Sequence, residues 1–248
     1  MVSLSDICST TSMKAPRVLA HGMPGVGKTT FAASAPNPIF IQTEDGADIV
    51  GASRFPQPES YQDVEDQIGL LVTEKHDYNT LVIDSLDWLE PLVWARVCEQ
   101  HKWKSIEDAG YGKGYVMALD IWRRFISGIN AARDKANMAV VIIAHSQIKR
   151  FEDPETDPYD RHEIKTHRKA ADLIMEHCDL IGFCTYKTLT KQVDAGFGRK
   201  ISRAVGTGER VFKTAASDPS FIAKSRYPIP DVLPLAWDSV IAAIFEKE

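Results

Sequence analysis

Residues 22–29 read Gly22-Met23-Pro24-Gly25-Val26-Gly27-Lys28-Thr29, directly after the apolar run Arg17-Val18-Leu19-Ala20-His21 and at the start of a helical pattern, Lys28 to Ala35. Glycines at both ends of such a loop let backbone N–H groups turn inward around an anion, and the strand–loop–helix context is the one in which the loop closes on phosphate. A strand feeding a helix in this way is the first half of a βαβ unit. The expected fold is therefore α/β, with a mostly parallel central sheet flanked by helices.

The rest of the chain fits that alternation. Ile39–Gln42, Thr80–Asp84 and Met138–Ala144 read as further strands, the last two almost wholly apolar, as strands covered on both faces must be. Tyr61–His76 reads as an amphipathic helix with Val64, Ile68, Leu71 and Val72 on one face. Two more helices, Trp88–His101 and Tyr115–Arg133, flank the glycine-rich link Gly110-Tyr111-Gly112-Lys113-Gly114. Lys149–Lys169, with two prolines and many charges, has loop composition but exceeds a plain connection. Asp179–Leu189 and Val211–Thr214 read as later strands, expected to be antiparallel, and Trp237–Phe245 as a closing helix. The expected organisation is a tail over residues 1–15 and one domain over 16–248.

With 248 residues the chain can bury a full core, and its net charge of -5 means that any nucleic-acid contact must come from a local patch. Cys8, Cys98, Cys178 and Cys184 show neither a CxxC pair nor zinc-ligand spacing, which points to reduced thiols in a cytoplasmic setting. No stretch approaches the ~18 apolar residues of a membrane span. A membrane partner is not expected.

The loop implies ATP as ligand, with Gly22, Pro24, Gly25, Val26, Gly27, Lys28, Thr29 and Thr30 as its contacts. Lys28 is expected to bridge the β- and γ-phosphates, and the Thr29 hydroxyl to hold Mg²⁺. A magnesium-bound triphosphate needs a second acidic anchor at a neighbouring strand end. Asp84 fits, its alternative being a cap for the following helix, where Asp87 is the better cap. Glu44, after the second strand, fits a carboxylate that orients or deprotonates water; a solvated loop acid is the competing reading.

The order loop, strand-end Glu44, strand-end Asp84-Ser85, then Ala144-His145-Ser146-Gln147 resembles the RecA-like ATPases, including RecA, RadA and DnaB-type helicases. That resemblance implies that Glu44 activates water and that Gln147, or in second place His145, senses the γ-phosphate. Gly110–Tyr115 with Trp122 resembles phage nucleotide-binding proteins of the Sak single-strand annealing type, which implies a role in phage recombination in a bacterial host. Ala223-Lys224-Ser225-Arg226-Tyr227 resembles a Lys-x-Arg segment that reaches a neighbouring subunit's γ-phosphate, implying trans-acting roles for Lys224 and Arg226 in a ring or filament. A solvated basic turn is the alternative. The stretch after Gln147 matches the mobile DNA-contacting loop in position, so Lys149, Arg150, Lys165, Arg168 and Lys169 are its phosphate-contacting residues, opposed by a solvated polar loop.

Three functions follow for such a chain. It is a Mg²⁺-dependent, DNA-stimulated ATPase acting on single-stranded DNA in recombination or annealing; or a nucleotide-gated loader that recruits a single-strand-binding or replication protein; or a small-molecule nucleotide kinase.

Overall fold

The computed structural model describes residues 13–44, 52–194 and 200–245, with side chains described outside 189–205. Residues 1–12 of the expected tail lie outside the described residues. The elements are β1 (Arg17–Gly22), α1 (Lys28–Ala33), β2 (Pro38–Gln42), β3 (Ser53–Arg54), α2 (Tyr61–Thr73), β4 (Thr80–Asp84), α3 (Leu86–His101) and α4 (Lys113–Lys135). They continue as β5 (Ala139–Phe151), β6 (Tyr159–Ile164), α5 (Arg168–His177), β7 (Leu180–Asp194), β8 (Lys200–Lys213), β9 (Lys224–Ser225), β10 (Val232–Pro234) and α6 (Trp237–Phe245).

The strand order is β10-β8-β7-β1-β5-β4-β2-β3, with β6 paired to β5 and β9 to β7. β3, β2, β4, β5, β1 and β7 run parallel, so the Asp179–Leu189 strand joins the parallel set rather than the antiparallel one expected for it; β8 is antiparallel to β7, as expected of the late strands, and β10 is antiparallel to β8. Period-two alternation divides each central strand between two cores. Leu19, Ile41, Leu81, Ile83, Val140 and Ile142 face the layer built by α2, α3, α4 and α5. Val18, Ala20, Phe40, Val82, Val141 and Ile143 face α1 and α6. Burial on both faces explains why these strands read as unbroken apolar runs.

Local signals set the helices. Ser60 accepts from the Asp63 amide while the Asp63 carboxylate accepts from that of Ser60, a reciprocal cap that starts α2. α4 buries Ala118, Ile121, Trp122, Phe125, Ile129 and Ala132, one stripe at helical spacing. At the end of the sheet remote from the loop, Asp179 ties several elements together. It takes the Arg17 backbone N–H at 3.0 Å and its guanidinium at 2.8 and 3.0 Å, Arg226 at 2.9 Å and Arg133 at 3.5 Å. Burial opposes the charge on Asp179, but those donors hold its carboxyl below the usual range.

Residues 149–169 depart from the expected loop. β5 continues past the sheet edge to Phe151 and pairs with β6 as an antiparallel ribbon, Ser146 opposite Ile164 and Phe151 opposite Tyr159. Arg168 and Lys169 then open α5, a helix the sequence reading did not separate from the loop. A ribbon standing outside the sheet has little core to face, so its charged residues hide the period-two signal. The charge run was therefore a strand pair.

Gly182 in β7 leaves room for the Phe212 ring, whose nearest carbon would lie 2.1 Å from a Cβ built there. Phe212 in turn stacks on Phe31 of α1, with ring centroids 5.4 Å apart. Gly182→Ala is expected to push this stack outward and cost about 1–3 kcal/mol. Chemical denaturation checks it, with an unchanged midpoint as the contrary result.

Candidate functional site

The site lies at the C-terminal edge of the parallel strands, where open α/β sheets bind ligands. Gly22 closes β1 level with His145 of β5 and Cys184 of β7, and Asp84 closes β4 level with Ile143. The loop needs left-handed backbone at Gly25 (φ 77°) and Gly27 (φ 102°), which glycine adopts without penalty. Val26 is buried in the α1-side core and anchors the loop from below. Met23, Pro24 and Thr30 are exposed at its rim.

Lys28 is buried, and its Nζ donates to the Gly22 and Met23 carbonyls at 3.1 and 3.0 Å. Burial lowers its pKa below the ordinary lysine value, even with Asp84, Asp87 and Glu44 nearby. Thr29 Oγ1 donates to Asp84 Oδ2 at 2.9 Å. Burial raises the Asp84 pKa, which the Thr29 bond only partly offsets. A hydroxyl and a buried carboxylate in contact form the hard oxygen pair that suits Mg²⁺, which takes one or two protein oxygens and completes its shell with phosphates and water. Thr29 and Asp84 would hold that ion, which supplies charge neutralisation to the phosphates.

Glu44 follows β2 at the same edge, with its carboxylate a third exposed. Ser85 Oγ donates to Glu44 Oε2 at 3.4 Å, and His145 Nδ1 lies 3.9 Å from that oxygen. His145 is held in turn by Asp87, which takes its ring N–H at 2.9 Å and its backbone N–H at 3.0 Å. Burial pushes the Asp87 pKa up, but these two bonds outweigh it and leave the carboxyl below its usual value. Asp87 is thus not the expected helix cap: Ser85 occupies that position, and Asp87, one residue into α3, faces His145 instead. The structure brings His145 against Glu44, whereas Gln147 lies two residues further out on the ribbon and donates to the Ile164 carbonyl at 3.4 Å.

The same helix turn holds the chain where it returns from the ribbon. Both oxygens of buried Glu90 take the His167 amide, at 2.8 and 3.1 Å, where α5 begins. The His145 carbonyl accepts from the Lys165 amide at 2.8 Å. His21, fully buried just before the loop, bonds Ser146 Oγ at 2.8 Å and the Ile222 carbonyl at 2.7 Å, and burial lowers its pKa to about 4. Neither Glu90 nor His21 was singled out from sequence, although a lone histidine closing an apolar strand is a usable signal.

Lys149, Arg150, Lys165, Arg168 and Lys169 are all exposed on the ribbon and the α5 start. Arg150 lies 3.6 Å from Asp160, and Arg168 lies 3.9 Å from Asp172. Lys224 and Arg226 sit elsewhere. β9 pairs with the first residues of β7, at the opposite strand ends from the loop of the same chain. There Lys224 Nζ donates to the Met175 and Glu176 carbonyls at 2.8 Å, and Arg226 pairs with Asp179.

A phosphate loop, a hydroxyl–carboxylate pair and a strand-end glutamate on one edge have a counterpart among known families. The model of the AAA domain family matches residues 14–227. This chain belongs to that family. Among solved structures, a RadB recombinase is similar to this AAA domain at a TM-score of 0.46 and 13% identity, covering 91% of this chain and 90% of that one. No curated protein matches the chain. Among the described residues no helix of this AAA domain is long and apolar enough to cross a membrane, and Cys98, Cys178 and Cys184 are free thiols. Cys8 lies outside the described residues.

Burial lifts the Glu90 carboxyl to about 7 from 4.5. A raised acid binds its proton more tightly in the folded chain, so stability falls as pH rises through that window and stays lower above it. Glu90→Gln keeps an oxygen for the His167 amide and removes the charge. Thermal unfolding at pH 5 and pH 8 is expected to show the variant gaining on the native chain at pH 8, by on the order of 1–3 kcal/mol at about 1.4 kcal/mol per pKa unit. An equal difference at both pH values counts against it.

Proposed function

We propose that this AAA domain hydrolyses ATP with Mg²⁺ and couples that reaction to single-stranded DNA, in recombination or annealing of the phage type. The observation that carries the reading is the chain Glu44–His145–Asp87. It sets a carboxylate at the same edge as Lys28, Thr29 and Asp84, and brings it within 3.9 Å of His145 at the base of a ribbon that carries Lys149, Arg150 and Arg161 among its acids. Glu44 accepts a hydrogen bond from Ser85 and orients or deprotonates the attacking water. Lys28 leaves the loop carbonyls for phosphate oxygens, where a cation stabilises the charge that develops in transfer. A change at Glu44 is felt by His145, whose carbonyl holds Lys165.

The ribbon supports the DNA part. A cleft of about 640 Å³ between ribbon and α5 is lined by Lys149, Phe151, Arg161, Thr166 and Arg168 among others. The Arg161 guanidinium lies 3.9 Å over the Phe151 ring, and Tyr159 packs beside it. Aromatic faces interleaved with cations suit a strand whose bases are unpaired.

Purified protein is expected to hydrolyse ATP faster with single-stranded oligonucleotide, the stimulation fading as salt rises because phosphate contacts release counterions. Lys28→Ala is expected to abolish turnover and Glu44→Gln to reduce it by at least about 100-fold, the scale of a positioned base. Undiminished hydrolysis by Lys28→Ala would sink the reading, and phosphate transfer to a nucleoside monophosphate with DNA inert would replace it by the kinase.

Subunit pairing belongs to the same proposal. Lys224 and Arg226 lie at the opposite end from their own loop, so a γ-phosphate in their reach is a neighbour's. Mixing Lys28→Ala with Arg226→Ala subunits is then expected to restore turnover that each lacks alone. An inactive mixture from folded subunits leaves the pair with its bonds to α5 and Asp179 only.

A further inference from the structure

A nucleotide also carries a sugar and a base, and the loop, Asp84 and Glu44 deal only with its phosphates. We propose that Tyr186 and Arg210 form the nucleoside end of the site, Arg210 against the α-phosphate and ribose and Tyr186 against the face of the base. This rests on the nucleotide reading above.

Strand register places the pair. Cys184 stands opposite Phe212, and Tyr186 opposite Arg210, across β7 and β8. Cys184 and Phe212 belong to the core that α1 covers through Phe31 and Ala32. Alternation along the strands returns Tyr186 and Arg210 to that face, two residues further toward the strand end. Cys184 is level with Gly22, so those two residues carry the pair past the end of β1 and alongside the phosphate loop.

The contact with the loop is direct. A Cβ built on Gly27 would lie 2.7 Å from Arg210 Nη1, so the guanidinium rests against the backbone of the residue before Lys28. It lies 5.9 Å from the centroid of the Tyr186 ring. Tyr186 is 43% exposed, although it continues a face that is otherwise closed by core packing. A bulge between Tyr186 and Thr188 breaks the ladder just beyond the pair. Bulges re-aim side chains next to binding sites. The acid that precedes Arg210 in β8 is occupied elsewhere, Glu209 pairing with Lys187 at 2.8 Å. A cation on the loop with an open aromatic face beside it matches a phosphorylated nucleoside in both charge and shape.

The geometry also fixes the division of labour. Arg210 touches the loop and therefore acts at the phosphates. Tyr186, its ring centroid 5.9 Å from the Arg210 guanidinium, is left for the base. Stacking recognises any base, so the pair supplies affinity without choosing between purines.

Titration calorimetry with ATP and with inorganic tripolyphosphate, both with Mg²⁺, separates these roles. Tyr186→Ala is expected to weaken ATP binding about tenfold, the scale of one lost stacking contact, and to leave tripolyphosphate binding unchanged. Tyr186→Phe keeps native ATP affinity. Arg210→Ala weakens both ligands. Native ATP affinity in Tyr186→Ala, or an equal loss of both ligands there, overturns the inference while Lys28→Ala still abolishes binding. Failure of the native chain to bind either ligand overturns the nucleotide reading and the inference with it.

Discussion

Because β1 is hydrogen-bonded in parallel to β5 on one side and to β7 on the other, Gly22 is level with His145 and Cys184, and every part of the site is measured from that line. β5 separates the loop strand from β4, which sets where Asp84 stands relative to the loop. The far end of β1 and β7 is fixed by Asp179, which accepts from the first residue of β1 and immediately precedes β7. Removing one partner of such a buried ionic cluster costs about 3–5 kcal/mol because the remaining charges are left uncompensated. The catalytic edge thus depends on a polar knot at the opposite end of the sheet.

What the sequence revealed and what it hid have different physical causes. β1, the loop, β4 and Asp84 were legible because a strand buried on both faces is an apolar run, and its last polar residue marks where the sheet meets solvent. Glu44 was legible for the same reason. The distinction between His145 and Gln147 was not, since β5 runs beyond the sheet and no residue in it announces where its parallel partner stops. Asp87 and Glu90 look like ordinary acids of a helix start. Their real partners, His145 and His167, come from segments more than fifty residues away. The ribbon was misread as a loop because strands outside a core are free to carry charge at every position. Tyr186 and Arg210 escaped notice because only the register of β7 with β8 and with β1 puts them beside the loop.

Lys28 shows how the loop satisfies a buried charge. A buried ammonium must have partners, and here the carbonyls of its own loop supply them. Thr29 and Asp84 likewise satisfy each other. The polar groups of the loop edge are therefore paired within the chain itself.

Asp87 and Glu90 stand one helical turn apart on α3, yet they hold the residue where the chain leaves the sheet and the residue where it enters α5. Between them lie the ribbon and its turn, which His21 also holds at Ser146 and residues 220–222 hold at His162. A lever pivoted this close to its load moves little at the base for a large swing at the tip, so displacement of Phe151 and Tyr159 reaches His145 only as a small one.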